Sequence, residues 1–396
     1  MSAATSSRPR RLRATLREES SVTPLELFFD LVFVLALTQC TALMADEPTW
    51  TGVAKGLLAL GALWWALVGY AWLTSVVDPE EGVVRLAIFA AMAGLLVAAL
   101  CVPGAFDESA LLFAGAYAVV RFAQLYLLYL AGADDAALRR SVVTGLLGST
   151  VVGVVLLAAA AFADGPLQGI LWALAIALDM AGPYLFGAEG WKLVPSHFVE
   201  RHGLIIIIAL GESIVAIGAG LESEVTAGVV VAAVVGIAIA ATQWWLYFDV
   251  VALVAERKLS RAAPGRAQNE MARASYSFLH LPMVAGIVLV ALGLKKTIGE
   301  VSEPLKLVPA VALLAGSSIY LLAHVAFRWR NVHSLNRQRL GCAVLFVLLV
   351  PLAVELPALA TAGLVAAILV GLVAYEAVRF AVARDRIRHQ LEGESP

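Results

Sequence analysis

The sequence predicts an all-α polytopic membrane protein with about twelve transmembrane helices, from its composition and from the spacing of its apolar segments. The chain has 396 residues, of which 61% are hydrophobic and only 15% are charged, and its mean hydropathy is +0.86. A soluble domain has about 25% charged residues, and water does not tolerate the apolar surface that this chain would expose. The formal net charge of -2 gives no reason to expect a nucleic-acid partner.

Apolar segments recur along the whole chain at the length that a membrane-spanning helix needs, which is about 20 residues. Only Leu356 and Pro357 separate the last two segments, and the segment at 226–256 is long enough to project into the cytoplasm. The predicted spans are 24–44, 52–76, 82–103, 109–132, 141–163, 166–187, 203–222, 226–256, 273–295, 305–327, 338–355 and 357–380.

Most of the 28 Lys and Arg residues fall in alternate loops, which share one side of the membrane when the N-terminus is placed in the cytoplasm. Cytoplasmic loops are the ones that carry an excess of Lys and Arg. We therefore expect an inner-membrane protein with both termini in the cytoplasm. Its cytoplasmic segments would be a basic tail at 1–22, a connector at 188–202 and a C-terminal tail at 381–396.

Three features of the first half of the chain recur in the same order in the second half. Each half has an acid in its first span (Asp30 and Glu212), a tryptophan pair in its second span, and a Met residue followed closely by Gly in its third. This order predicts two six-helix repeats, at 23–187 and 203–380. Because six spans return the chain to the same side, both repeats should have the same orientation, and internal repeats are common in transporter folds.

Two acids begin the first span. Glu26 and Asp30 are four residues apart and share one helical face, and Thr23 and Pro24 just before them favour the start of a helix. A charge inside a span is costly, so it is either paired or functional. Two interpretations stay open: the acids cap the helix and pair with a basic loop, or they form a proton or cation site near the cytoplasm.

Glu212 is predicted to lie near the middle of the seventh span, where an ionisable side chain favours a functional role. Its neighbours fit a helix contact, because Gly211 would permit close helix approach and Ser213 could hydrogen-bond across it. Glu212 would then bind a proton or a cation. The alternative is a protonated glutamic acid that joins two helices.

Arg121 is predicted near the middle of the fourth span and therefore needs an acidic partner. The candidates are Asp30, Glu26 and Asp179, and the pair could be structural or functional. Asp179 precedes Pro183 by four residues, and a proline kink is typical of a helix that lines a cavity.

Trp65 and Trp245 each end a tryptophan pair and could line a permeation path or stack on an organic cation. The commoner role of membrane aromatics is packing or anchoring at the interface. His197, Glu200 and His202 lie together in the connector, but two histidines five residues apart point away from each other on a helix. We expect no metal and no cofactor.

Two segments carry a family resemblance. Thr23 to Val34 reads TPLELFFDLVFV, and Glu200 to Val215 contains Glu-Arg-His-Gly and Gly-Glu-Ser-Ile-Val. Together with the length and the number of spans, they resemble the bacterial low temperature requirement protein A family over nearly the whole chain. The resemblance implies a bacterial inner-membrane protein linked to growth in the cold. It does not imply a chemistry.

These features favour a secondary transporter or channel-like permease that uses carboxylates in the membrane to bind protons or cations. Its partners would be the lipid bilayer and a small ion or solute, and a homo-oligomer stays open. The alternatives are a structural or lipid-associated membrane protein that supports growth in the cold, and a membrane-embedded lipid-modifying enzyme. An enzyme is less favoured because the sequence has no phosphate loop, nucleophile elbow or zinc-protease motif.

Overall fold

The computed structural model describes residues 21–80, 82–185, 191, 193–221 and 224–382. The predicted tails at 1–22 and 381–396 lie outside these residues, apart from the two residues of each tail nearest the membrane. All regular secondary structure within the described residues is helical. The α-helices are α1 (Pro24–Asp46), α2 (Trp50–Val76), α3 (Gly82–Cys101), α4 (Ala110–Ala131), α5 (Ala136–Arg140), α6 (Gly148–Ala160), α7 (Gly165–Leu185), α8 (Pro195–Ala219), α9 (Ala227–Phe248), α10 (Val251–Arg261), α11 (Arg266–Ala272), α12 (His280–Gly299), α13 (Leu307–Val332), α14 (Arg337–Leu348), α15 (Val350–Ala353) and α16 (Ala358–Arg379).

Eleven helical segments among the described residues are long and apolar enough to cross a membrane, which confirms the all-α polytopic class. The predicted span at 338–355 differs, because it is divided between α14 and α15 at Leu349. Pro351 lies just after this break. Proline has no N–H for the helical hydrogen bond, and its ring clashes with the carbonyl four residues earlier, so the helix cannot continue unbroken.

Two helix boundaries differ from the predicted ones. The predicted connector at 188–202 is in part helical, because α8 already begins at Pro195, a residue suited to the first turn of a helix. The long span predicted at 226–256 ends as α9 at Phe248, and α10 continues after a short break. There are two π-helical segments. Ser141–Leu147 joins α5 to α6, and Arg273–Phe278 follows α11 and ends shortly before α12.

The outer surface of the bundle is apolar, as contact with lipid requires. Leu86, Phe162 and Val378 are 68%, 80% and 81% exposed, and many further Leu, Val and Ile side chains point outward. In contrast, α2 is mostly buried, and its Trp64 and Trp72 donate indole hydrogen bonds to Ser277. The centre of the fold is therefore α2, surrounded by helices of both halves.

Helix packing follows a similar order in the two halves. In the first half, α1 packs on α2 and α3, and α3 packs on α4; in the second, α8 packs on α9 and α12, and α12 packs on α13. The α12–α13 contact is close because a Cβ atom added at Gly286 or Gly316 would come within 2.7 Å of the other residue's carbonyl oxygen. The six-helix repeat itself stays a prediction.

Candidate functional site

The first helix of the first half, α1, packs against the first helix of the second half, α8, and the two run parallel. Side chains of α1 contact side chains of α8, and the separation in sequence between the contacting residues stays between 171 and 175. A constant separation means that both helices run in the same direction. Two groups of ionisable residues lie along this interface, one near the helix starts and one further along.

The first group, called the α1–α8 charge cluster, consists of Glu26, Asp30, His197, Arg201 and Thr74. Glu26 closes a capping box with the Thr23 N-cap, as the sequence predicts for a helix start. Its Oε1 also accepts from Arg201 Nη1 at 3.1 Å and lies 2.9 Å from His197 Nε2. The four ionisable side chains are at most 1% exposed.

Arg201 is the centre of this cluster. Its Nη2 donates to Asp30 Oδ1 at 3.0 Å, and its Nη1 donates to Thr74 Oγ1 at 2.6 Å. Two carboxylates therefore face one guanidinium and one imidazole, and their charges balance when His197 carries a proton. Asp30 Oδ2 and Arg201 Nε have no hydrogen-bond partner within the described residues, so the cluster is not saturated.

Arg121 belongs to a different group, the α4–α7 charge cluster. Of the three candidate partners, the structure pairs it with Asp179: Arg121 Nε donates to Oδ2 at 3.0 Å and Nη2 to Oδ1 at 2.9 Å. Tyr117 and Thr150 donate two further hydrogen bonds to this carboxylate, at 2.8 Å each, and Gln124 accepts from Arg121 Nη1. This bidentate pair is buried and well supplied with hydrogen bonds.

Glu212 lies further along the α1–α8 interface, about 16 Å beyond Arg201 at 1.5 Å per residue. It is 1% exposed, and its Oε2 accepts a hydrogen bond from Thr38 Oγ1 at 2.6 Å. Thr41 also interacts with the carboxylate. No basic side chain of the described residues forms an ion pair with Glu212, which distinguishes it from Glu26, Asp30 and Asp179.

The neighbours of Glu212 do not have the roles that the sequence suggested. A Cβ atom added at Gly211 would meet nothing within 4 Å, so this glycine does not lie at a close helix contact. The Ser213 hydroxyl is buried and has no hydrogen-bond partner within the described chain. The residue that bonds across the interface is Thr38, which the sequence did not single out.

The two tryptophans lie in different surroundings. Trp65 is buried at 5% exposure beside Arg121, whose Cζ atom is 6.0 Å from the ring centre, and both residues line one cavity. Trp245 is 37% exposed and lines a second cavity together with Arg339 and Glu376. The two tryptophans therefore line different cavities, and their role in a permeation path stays a prediction.

Sequence reasoning missed Arg201, which it counted as a loop residue of the connector. Two signals of a helical Arg201 were present in the sequence. Pro195 favours the start of a helix, and Arg201 is itself part of the motif from Glu200 to Val215. The sequence also gave no indication of the ion pair between Arg339 and Glu376. Arg339 Nη2 lies 2.8 Å from Glu376 Oε2.

The histidine group of the connector does not form a metal site in the structure. His197 contacts Glu26 on α1, and His202 Nδ1 bonds to the Phe198 carbonyl at 2.8 Å. Glu200 lies elsewhere, where its Oε2 accepts from the Val22 amide at 3.1 Å. No group of three metal-ligating side chains converges anywhere in the described ranges.

Together, the apolar surface, the spanning helices and the buried ion pairs define a multi-pass α-helical membrane protein. The sequence profile of the bacterial low temperature requirement A protein (LtrA) matches residues 21–374. The chain belongs to this family, and the resemblance of its two motifs is confirmed.

A protein of Rhizobium meliloti (strain 1021), named uncharacterized protein RA0937, is 31% identical to the chain over 282 residues, a match that covers 68% of this chain and 67% of that protein. Its name carries no activity that could be compared with the clusters described above. No solved structure matches the chain.

Proposed function

We propose that this protein is a secondary transporter or channel-like permease of the bacterial inner membrane, in which Glu212 binds and releases a proton or a small cation. One observation carries the proposal. Glu212 is a buried carboxylate inside a spanning helix with a hydroxyl partner, Thr38, and without an ion pair to any described basic residue. The other buried carboxylates each contact an arginine: Glu26, Asp30 and Asp179.

An isolated charge has a high free energy in a medium of low polarity. A carboxylate without an ion pair in the membrane interior either takes up a proton or attracts a cation, since its hydration is lost and, for Glu212, Lys295 acts only from beyond ion-pair distance. The Thr38 hydroxyl can accept from a protonated Glu212 or donate to an ionised one, so it serves both states. Such a group is suited to repeated loading and release.

The position of Glu212 supports the same proposal. It lies between α1 and α8, which are the first helices of the two predicted repeats and run parallel. Transport sites lie at the interface between repeats in many transporter folds. The α1–α8 charge cluster, on the same interface, would hold these two helices together through Arg201, with the N-terminus in the cytoplasm.

Flux in proteoliposomes tests the proposal directly. The purified protein is reconstituted with a pH-sensitive dye inside, and proton entry is driven by a potassium gradient with valinomycin; sodium and potassium uptake are measured in parallel. We expect the wild type to move at least one of these ions and Glu212→Gln to abolish that flux. Glu47→Gln, the same chemical change at an exposed carboxylate, should leave the flux unchanged.

The flux experiment can also contradict the proposal. If the wild type moves no proton, sodium or potassium above the level of empty vesicles, no ion-translocating role is left for Glu212. Flux through Glu212→Gln at the wild-type rate would have the same consequence. Size-exclusion chromatography of each variant before reconstitution separates loss of flux from loss of folding.

A structural membrane protein that supports growth in the cold is the second candidate, and the ion pairs favour it. Arg121 and Arg201 each join one helix to another through a buried carboxylate, and Arg339 does so through the partly buried Glu376. Growth at low temperature of a deletion strain that carries Glu212→Gln distinguishes the two candidates. Growth equal to that with the wild-type gene would favour the structural role, and failure to grow would favour the transport role.

A further inference from the structure

We propose that a second site, the arginine–tryptophan cavity, binds a small monovalent anion such as chloride or formate. The cavity lies between α2, α4 and α7 and the π-helical segment before α12, and this proposal does not depend on Glu212. Its lining includes Trp65, Trp72, Arg121, Gln124, Pro183 and Arg273.

Two π-helical segments and the proline-containing end of α7 meet at this cavity. Leu146 lies in the π-helical segment Ser141–Leu147, Arg273 begins the π-helical segment Arg273–Phe278, and Pro183 lies inside α7. π-Helical turns are rare and occur mostly at functional sites. Irregular backbone at membrane depth is tolerated where it lines a cavity, so the convergence of three such segments indicates a built site.

The charge of the cavity is positive. Arg121 is balanced by Asp179, but no carboxylate of the described residues forms an ion pair with Arg273. The Arg273 guanidinium lies on the Tyr184 ring, 4.2 Å from its centre, and its Nη1 donates to the Pro183 carbonyl. The nearest acid in sequence, Glu270, is bound to Arg266 at 2.7 Å. Arg273 therefore has no ion-paired carboxylate among the described residues, although Glu270 attracts it from a longer distance.

The hydrogen-bonding groups that remain in the cavity are donors. Trp65 is 5% exposed and Arg273 is 8% exposed, and both Trp65 Nε1 and Arg273 Nε lack a hydrogen-bond partner within the described chain. Indole and guanidinium groups can only donate. The indole N–H of Trp72 is already bound to Ser277 Oγ at 2.9 Å, and Gln124 accepts from Arg121. Two unused donors, one of them on an arginine without an ion pair among the described residues, favour an anion over a cation.

The size of the cavity limits the anion. About 40 Å³ of it is open to the centre of a water-sized sphere, which is room for more than one water molecule. A small ion such as chloride or formate fits this space.

Anion binding is measured on the purified protein by tryptophan fluorescence and by thermal unfolding, with sodium chloride or sodium formate replacing sodium gluconate at constant ionic strength. We expect a saturable fluorescence change and a rise in Tm with chloride or formate. Arg273→Gln should weaken the affinity at least tenfold, and Trp65→Phe, which keeps the ring and removes the N–H group, should weaken it several-fold. Arg266→Gln removes an exposed arginine two turns away and should bind as the wild type does.

Two results would overturn this assignment. One is the absence of saturable chloride or formate binding in the wild type, whether or not phosphatidylglycerol in nanodiscs binds. The other is unchanged affinity in both Arg273→Gln and Trp65→Phe. If Arg273→Gln does not fold, Trp65→Phe and Arg273→Lys provide the test. Glu212→Gln should bind chloride normally, so a failure of the transport proposal can be recognised separately.

Discussion

The α4–α7 charge cluster and the Glu212 site place the same kind of side chain, a buried carboxylate in a spanning helix, in opposite surroundings. Asp179 accepts four hydrogen bonds, two of them from the guanidinium of Arg121. Glu212 has only neutral hydroxyl partners, Thr38 at 2.6 Å and Thr41. Both are 1% exposed. Burial alone therefore does not distinguish a structural acid from a candidate ion-binding one; the number and charge of its partners do.

This difference has an energetic meaning. A buried ion pair balances its own desolvation and cannot change its protonation cheaply, because removing either charge leaves the other one unpaired. A carboxylate with only a hydroxyl partner exchanges its proton without such a loss. The α1–α8 charge cluster lies between these two cases, since Arg201 serves two carboxylates and Asp30 keeps one oxygen unbonded.

The largest loss of stability is expected for Arg201→Met. The change leaves both Glu26 and Asp30 without their arginine, so the free energy of unfolding should fall by an amount at or above the upper end of about 3–5 kcal/mol. Thermal and denaturant unfolding of the purified protein in detergent measure it. Arg266→Met, at an arginine that is 80% exposed, is the control and should change stability by less than about 0.5 kcal/mol. A loss below about 1 kcal/mol in Arg201→Met would mean that the cluster does not hold α1 and α8 together.

The next largest loss is expected for Asp179→Leu. It leaves the Arg121 guanidinium buried without its carboxylate, at a cost of about 3–5 kcal/mol in the free energy of unfolding. The double variant Arg121→Met, Asp179→Leu removes both charges and should regain most of this loss in the same unfolding experiment. A double variant as unstable as Asp179→Leu would show that the two side chains stabilise the fold by more than neutralising each other's charge.

A smaller loss is expected for Thr38→Val. It removes the hydrogen bond to Glu212 and should cost about 1.5–3 kcal/mol if the carboxylate is ionised, or about 1 kcal/mol if it is protonated. Measuring the unfolding free energy across a pH series therefore reports the charge state of Glu212. Thr144→Val, at an exposed threonine that bonds only to the Arg140 carbonyl, is the matched control.

The smallest loss is expected for Glu212→Gln, below about 1 kcal/mol, because the amide oxygen still accepts from Thr38 and no arginine loses a partner. The matched change Asp179→Asn should cost several times more, because Arg121 loses its countercharge. Equal losses in the two variants, measured by unfolding in the same detergent, would remove the distinction on which the proposed role of Glu212 depends.

The sequence by itself determined the class of the protein and most of its helices, because hydrophobic segments of spanning length are a local property of the chain. It also singled out Glu26, Asp30, Arg121, Asp179 and Glu212, since a charge within an apolar segment is visible without a structure. The start of α8 at Pro195 and the break before Pro351 depend on local proline geometry. A hydropathy average over a whole segment does not resolve either position.

Only the tertiary structure decided which charges meet. Asp179, Asp30 and Glu26 were equal candidates for Arg121, and the packing of α6 against both α4 and α7 selected Asp179. The parallel contact of α1 with α8 brought Arg201 to Asp30 across 171 residues and left Glu212 with Thr38. A side chain reaches only a few ångströms, so its partner is fixed by where two distant helices cross, which no local pattern in the chain records.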